Sequence, residues 1–487
     1  MTTGTPLCDL VVQLCDEILS RRAVSEPLFA EAQEVVARLT TCHRLRIAVG
    51  GRQQDGKTTL VNALLRARLA TGDGTEGARV VTRYFPSHTD QVTVRLLDGS
   101  SHEIRPGPRG GLPLSLEWPA DKIKYVDVGF PGTTPCDGML IDTPGLDRPD
   151  GSRKISLDAC ADADALLFVV NFEGQIDSEA LRWLRRAAPF GLVGEVGAIG
   201  VVTGIQNLES RPETNPWPSA RLRASVCRRQ LGDLLLRVVP VLDLLAQTSL
   251  GADFTESDAR ALANLAAFGD RKAVLAALYD HDEFLTWESG PLDRATRHRL
   301  LDMLGIYGIH LCLDRVGAMA SAHTVRQELR AASGIDELIR EMESALLPQS
   351  DLLRASSALN RLLTAASQRE NENGGMDEMW VFEAARRIEN SPDFGRVRLL
   401  RALRELHDGR FHLKQADAEA LRALVEGMTP AECLGEPRGT RGGALSAAAE
   451  RETIRWRTLE NTMVPPIRTY ARIAWTICQT FIEGRPT

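Results

Sequence analysis

The sequence predicts an α/β phosphate-loop domain with a mostly parallel sheet, followed by an all-α helical bundle. Three observations predict it. The stretch "GGRQQDGKTT" stands between the apolar run "LRIAV" and "LVNALL", so it reads as strand, glycine loop, helix. Apolar runs of strand length then alternate with helical patterns to about residue 250. Beyond that point the strand signal ends, and Ala, Leu, Arg and Glu recur at helical spacing.

Taken in order, residues 6 to 20 and 26 to 40 are two helices. "LVVQLCDEIL" and "LFAEAQEVVARL" repeat apolar residues three and four apart, with Pro27 near the second start. The N-terminal segment carries acids inside its apolar face and lacks the basic start and cleavage site of a signal peptide. Strands follow at "RLRIAV", "VTVRLL", "GMLID", "ALLFVVN", "GAIGVV" and "RVVPVL", runs suited to strands buried on both faces. The excursion "RPGPRGGLPLSLEWP" before the third of them is expected as an ordered loop or small hairpin. In the helical half, Leu352, Ala355, Leu359, Leu362, Leu363 and Ala366 form one stripe, expected as core of an antiparallel bundle rather than a cofactor site. "SGPLD", "ASGID", "LLPQSD", "ENENGG" and "ECLGEPRGTRGG" are its breaks, and no repeat of fixed period is evident.

Composition bounds the function. A chain of 487 residues is too long for one ordinary core, and 43% hydrophobic with 25% charged residues is the balance of a soluble globular protein. A net charge of −7 argues against a constitutive nucleic-acid binder, while leaving room for a local basic patch against an anionic membrane. The nine cysteines form no CxxC pair and no metal spacing, so free thiols in a reducing cytosol are expected. No apolar run approaches the roughly 20 residues of a membrane span, so any bilayer contact is expected to be peripheral.

The loop fits Gly, any four, Gly-Lys-Ser/Thr: Gly51, Arg52, Gln53, Gln54, Asp55, Gly56, Lys57 and Thr58, with Thr59 next in the helix. Glycines turn backbone N–H groups around phosphates, the helix N-terminus adds partial positive charge, Lys57 reaches the outer phosphates, and the Thr58 hydroxyl ligates Mg²⁺. A plain glycine turn is the competing reading, which the strand–loop–helix context disfavours. "MLIDTPGLD" supplies a second half: Asp142 at a strand end holds Mg²⁺ through water, and the Gly145 N–H bonds a γ-phosphate.

"GRQQDGKTTLVNALL", "EGARVVTRYF", "LEWP", "IDTPGLD" and "VVPVLDLLA" resemble the GTPase domain of bacterial dynamin-like proteins, of the actinobacterial isoniazid-inducible type. The likeness runs on through "RLLDMLGIYGIHLCLDRV" and "SGIDELI" and is looser after about residue 365. It implies a GTPase domain over 42–250, a helical neck and trunk over 251–487, and N-terminal helices over 1–41 that fold back onto the bundle. It implies GTP and GDP as substrate and product with Mg²⁺, and nucleotide-driven membrane tethering, fission or repair. The implied partners are copies of the chain or a second dynamin-like protein, and lipid touched peripherally at the cytoplasmic face of the cell membrane. Within the loop it makes Gln53 an organiser of the attacking water and of dimer contacts. It leaves Arg52 as either a charge-stabilising finger or a solvated loop charge.

Three departures qualify the resemblance. Ala78 stands where relatives carry the switch Thr, and Thr75 and Thr82 are offset from that position. In "VVTGIQNLES", Thr203 keeps its place in the base-reading motif, but Gly204 replaces Lys and Gln206 replaces the Asp that takes two guanine N–H donors. Leu242 takes the place of a small hydroxyl residue, and Leu146 follows the Asp-x-x-Gly, as dynamins allow. These departures open a second reading, a weakly hydrolysing subunit that scaffolds a more active partner. Two breaks are candidate lipid tips: Glu432 to Ser446 with Arg438 and Arg441, and Ala345 to Arg354 with Leu346 and Leu347.

Overall fold

The computed structural model describes residues 6–21, 24–41, 44–70, 79–107, 109–147, 152–187, 197–205, 215–231, 234–315, 321–373, 378–389, 394–395, 399, 402–403, 405–406, 409, 411–427 and 429–482. The chain forms two compact units, Arg44–Pro348 and a second made of Met1–His43 with Gln349–Thr487.

In the first unit, nine described strands form one sheet in the order β4-β3-β5-β2-β6-β1-β7-β8-β9. They are β1 (Arg46–Gly51), β2 (Thr82–Pro86), β3 (Gln91–Leu96), β4 (Ser101–Ile104), β5 (Ile123–Phe130), β6 (Met139–Asp142), β7 (Ala165–Asn171), β8 (Ala198–Thr203) and β9 (Arg237–Pro240). From β6 to β9 all pairings are parallel, and the antiparallel pairs lie in the other wing, at β2–β6, β3–β4 and β3–β5. The central parallel strands β7 and β8 are apolar up to their last residue, because both faces are covered. Three strands go beyond the sequence expectation: β2, β4 and β5. In β5 the charges of Lys124 and Asp127 interrupt the apolar pattern, yet Asp127 is satisfied inside the sheet by Arg83 at 2.6 and 2.8 Å and by Arg95 at 3.2 Å. The 105–119 excursion carries no described strand. It is a turn held by Gly107 N–H to Gly111 O at 2.8 Å and Leu112 N–H to Leu69 O at 3.1 Å.

Helices in this unit are α3 (Lys57–Leu65), α4 (Ser152–Ala161), α5 (Ser178–Ala187), α6 (Trp217–Leu231), α7 (Asp243–Leu250), α8 (Glu256–Ala266), α9 (Arg271–Ala277), α10 (His281–Thr286), α11 (Arg294–Arg315), α12 (Ala322–Ser333) and α13 (Ile335–Leu346). The boundary expected near residue 250 does not fall there. Leu245, Leu262, Leu304 and Val325 share one core with Phe168 and Val202, so α7 to α12 belong with the sheet. Helical periodicity tells which face is buried and not which neighbour covers it. The expected wedge at Ala345–Arg354 is also corrected: Leu346 is 1% exposed and belongs to the core, leaving Leu347 alone at the surface.

The second unit joins both chain ends. It holds α1 (Pro6–Ser20), α2 (Glu26–Thr41), α14 (Ser350–Asn373), α15 (Met379–Glu389), α16 (Gln415–Glu426), α17 (Pro430–Cys433), α18 (Gly443–Glu460) and α19 (Pro465–Ile482). The six-residue stripe of α14 is buried, and α1 and α2 pack along this helix. Polar bonds fix the pairing. Asp351 accepts from the N–H groups of Leu7 and Cys8 at 3.0 and 3.2 Å, capping α1, and Arg361 holds Glu34 at 3.0 Å. The described cysteines are free thiols. At the other expected tip, Arg438 is exposed and its guanidinium is paired with Glu432.

Candidate functional site

The C-terminal ends of β1, β6, β7 and β8 converge, and the loop between β1 and α3 lies over them. Gly51 closes β1, and its carbonyl accepts from Leu146 N–H at 3.0 Å. Arg52 N–H donates to Asp55 Oδ2 at 2.9 Å, which folds the loop on itself. Lys57 is buried, and its Nζ donates across the loop to the Arg52 carbonyl at 2.6 Å. Gly56 enters α3 at φ 83°, where a side chain is strained and an added Cβ would lie 2.7 Å from Asp243 Oδ2, so glycine is favoured. Gln54 is exposed on the loop, and Thr59 is half-buried in the first turn of α3. The first N–H groups of α3 lack intrahelical acceptors, a ready anion site.

Across from this helix start, the Thr58 hydroxyl donates to Asp142 Oδ2 at 3.3 Å. A hydroxyl and a carboxylate side by side are hard oxygen donors of the kind Mg²⁺ takes, the remaining positions going to phosphate and water. Among the described residues no cluster of three or more His, Cys, Asp or Glu could hold a metal alone. The Thr58–Asp142 oxygen pair fits an ion that takes its other ligands from a nucleotide and water, with Thr58 and Asp142 as the residues that would hold it. Gly145 packs so closely that a Cβ there would meet Gln53 N at 2.7 Å. The loop after β6 is thus seated on the phosphate loop.

At the end of β8, the Thr203 hydroxyl is bonded to the Asp55 carbonyl, tying β8 to the phosphate loop. Gly204 stands at φ 69°, its N–H on Asp243 Oδ1 at 3.1 Å, and a Cβ there would lie 2.5 Å from Asn171 Nδ2. A side chain on this backbone would be strained and would have to displace the Asn171 amide. Gln206, Ala78 and Thr75 lie outside the described residues. Thr82 is described: it is buried in β2 and in register with Asp142, a strand position rather than a switch-loop one.

Charge is tuned at two carboxyls. Burial pushes Asp55 above its ordinary range, against the Arg52 N–H bond and the charges of Lys57 and Arg52. Partial burial also works against ionisation of Asp147. Hydrogen bonds from the Gln53 N–H, its own N–H and the Arg52 guanidinium outweigh it and hold that carboxyl below its ordinary range. Arg52 is partly exposed and paired: Nε faces Asp147 Oδ2 at 3.3 Å, and a second nitrogen donates to Gln175 Oε1 at 3.4 Å. Asp147, Gln175, Asn171 and Asp243 are the site residues that motif reading missed. Asp147 had a local signal, standing two places past the Asp-x-x-Gly, and so did Asp243, within "VVPVLDLLA".

Comparison with known proteins agrees with this geometry. Residues 46–194 match the family model described as 50S ribosome-binding GTPase. Two curated relatives are named isoniazid-induced protein IniC, from Mycobacterium tuberculosis strains CDC 1551 / Oshkosh and ATCC 25618 / H37Rv. Each is 30% identical over 345 residues, spanning 68% of this chain and 68% of the relative. Two solved structures of an oligomerised bacterial dynamin pair, described as a mechanism for long-range sensing and tethering of membranes, cover 98% of this chain and 74% and 72% of theirs. Their TM-scores are 0.34 and 0.33 at 12% and 13% identity, too low to speak for assembly or lipid binding in this chain.

Proposed function

The chain belongs to the family of the isoniazid-induced protein IniC, a dynamin-like protein, and on that premise we propose that it is a GTPase that works at a membrane through nucleotide-dependent assembly. The observation that carries this reading is the convergence of Lys57, Thr58 and Asp142, with the Asp-x-x-Gly loop seated on the phosphate loop. Gly51 to Thr59 would cradle the phosphates, Lys57 would neutralise the outer ones, and Thr58 and Asp142 would hold the ion. Thr203 keeps the loop registered against the base side. Bound Mg²⁺ with GTP supplies the phosphoryl group and the charge neutralisation for its transfer. Gln53, on the rim, would orient water.

Assembly with a second copy or a second dynamin-like chain, and lipid contact from the cytoplasmic side, belong to the same proposal. Among the described residues no helix is long and apolar enough to cross a membrane. The surface that best suits a lipid contact is the turn between α18 and α19, where Met463 is 97% and Val464 43% exposed. Arg457, Arg468 and Arg472 are exposed on the two flanking helices, Arg472 paired with Glu460 and Arg457 stacked on Trp475. Basic residues near an anionic surface contribute about 1 kcal/mol each, so assembly would multiply a weak monomer contact.

A second reading, the weakly hydrolysing scaffold subunit, is favoured by Ala78 in the sequence and by Gly204, whose left-handed backbone beside Asn171 disfavours the lysine of the base-reading motif. Turnover of GTP and ATP side by side, with and without liposomes, separates the two. Liposome-stimulated turnover selective for GTP supports the enzyme. Slow, base-indifferent turnover that rises in Ala78→Thr, with GTP preference gained in Gln206→Asp, supports the scaffold.

A further inference from the structure

Asp147 stands just beyond the Asp-x-x-Gly turn and takes part in no role assigned above. Its Oδ1 accepts from the Gln53 N–H at 2.7 Å, and its Oδ2 faces Arg52 Nε at 3.3 Å. The neighbouring peptides hold it there: Leu146 N–H is on the Gly51 carbonyl at 3.0 Å, and Gly145 abuts Gln53. Gln175 steadies the far side of the guanidinium at 3.4 Å. A loop N–H and a guanidinium at the mouth of a phosphate loop are the donors that an incoming anion takes. Here a carboxylate of the chain itself already occupies them.

We propose that Asp147 is an internal counter-anion of the phosphate loop, one that a terminal phosphate must displace and that a diphosphate leaves in place. The inference rests on reading this loop as a nucleotide site. The inner phosphates go to the backbone cradle and helix start, whereas the outermost one extends toward the mouth. There it competes with Asp147 for Gln53 and Arg52, and two like charges cannot share those donors without cost. Because Asp147 and Gly145 lie on one short turn, displacing the first moves the second. The triphosphate is thereby reported to the loop that follows β6.

The test is calorimetry of the full chain with Mg·GTP, Mg·GDP, tripolyphosphate and pyrophosphate. Wild type is compared with Asp147→Asn, which keeps size and one acceptor but removes the charge, with Asp147→Ser, and with Asp147→Glu, which restores the charge. Circular dichroism monitors folding. Loss of an exposed charge pair predicts a rise of about fivefold in the GTP-over-GDP affinity ratio for Asn and Ser, with GDP affinity little changed and Glu returning toward wild type. A ratio that stays put or falls in the folded variants overturns the inference, because a merely structural residue weakens both nucleotides together. If wild type binds neither nucleotide, the nucleotide reading falls, and the tripolyphosphate-to-pyrophosphate ratio decides Asp147 on its own. Binding of none of the four overturns both.

Discussion

At Asp55 the phosphate loop keeps a carboxyl buried against its own backbone, and burial raises its pKa above the ordinary value of 3.8. The folded state therefore holds this proton more tightly than the unfolded chain. Stability falls as pH rises from the unfolded value through the raised folded one, and the penalty persists above it. Asp55→Asn keeps an acceptor for the Arg52 N–H and removes the penalty. The variant should melt higher than wild type at pH 7, and the gap should close as pH falls below the ordinary carboxylate range; a gap independent of pH would contradict this. At this scale the sequence was informative where chemistry is local. Lys57 and Thr58 follow from spacing alone, and Asp142 from its place after an apolar strand. Asp147 bonds Gln53 across 94 positions, and Asp243 bonds Gly204 across 39, pairings that only the folded sheet brings together.

Among the elements, α11 contains a break that its apolar pattern conceals. Gly305 sits inside it at φ 61°, ψ 175°, a conformation essentially reserved for glycine. Gly305→Ala should cost about 1–3 kcal/mol in urea unfolding. An unchanged midpoint would mean that the kink is not required. The α18–α19 turn carries the lipid prediction. Met463→Ser/Val464→Ser should reduce sedimentation with anionic liposomes and leave soluble GTP turnover unchanged, and equal sedimentation would remove this turn as the contact. Leu346→Ser is no fair probe, because it puts a hydroxyl into a core position. The helices and the six apolar strands were legible from period and run length. β5 was hidden by Asp127, whose charge reads as loop until Arg83 and Arg95 are seen to neutralise it.

Over the whole molecule, every described site residue lies within Arg44–Pro348, while the other unit is built from both chain ends. That division was only half legible: the joining of the first helices to the later ones follows from resemblance, but the allegiance of α7 to α12 follows from packing. Arg44–Pro348 alone should fold cooperatively and bind GTP within about threefold of the full chain, since no described site contact is lost; failure to fold would show that the ends complete it. The central claim is that Lys57 and its loop hold a guanine triphosphate. Calorimetric titration of the full chain with Mg·GTP, wild type beside Lys57→Ala, tests it most directly. Removing a charge-assisted contact worth about 1.5–3 kcal/mol predicts at least about a tenfold loss of affinity. Equal binding by the two proteins, or none by wild type, would contradict it.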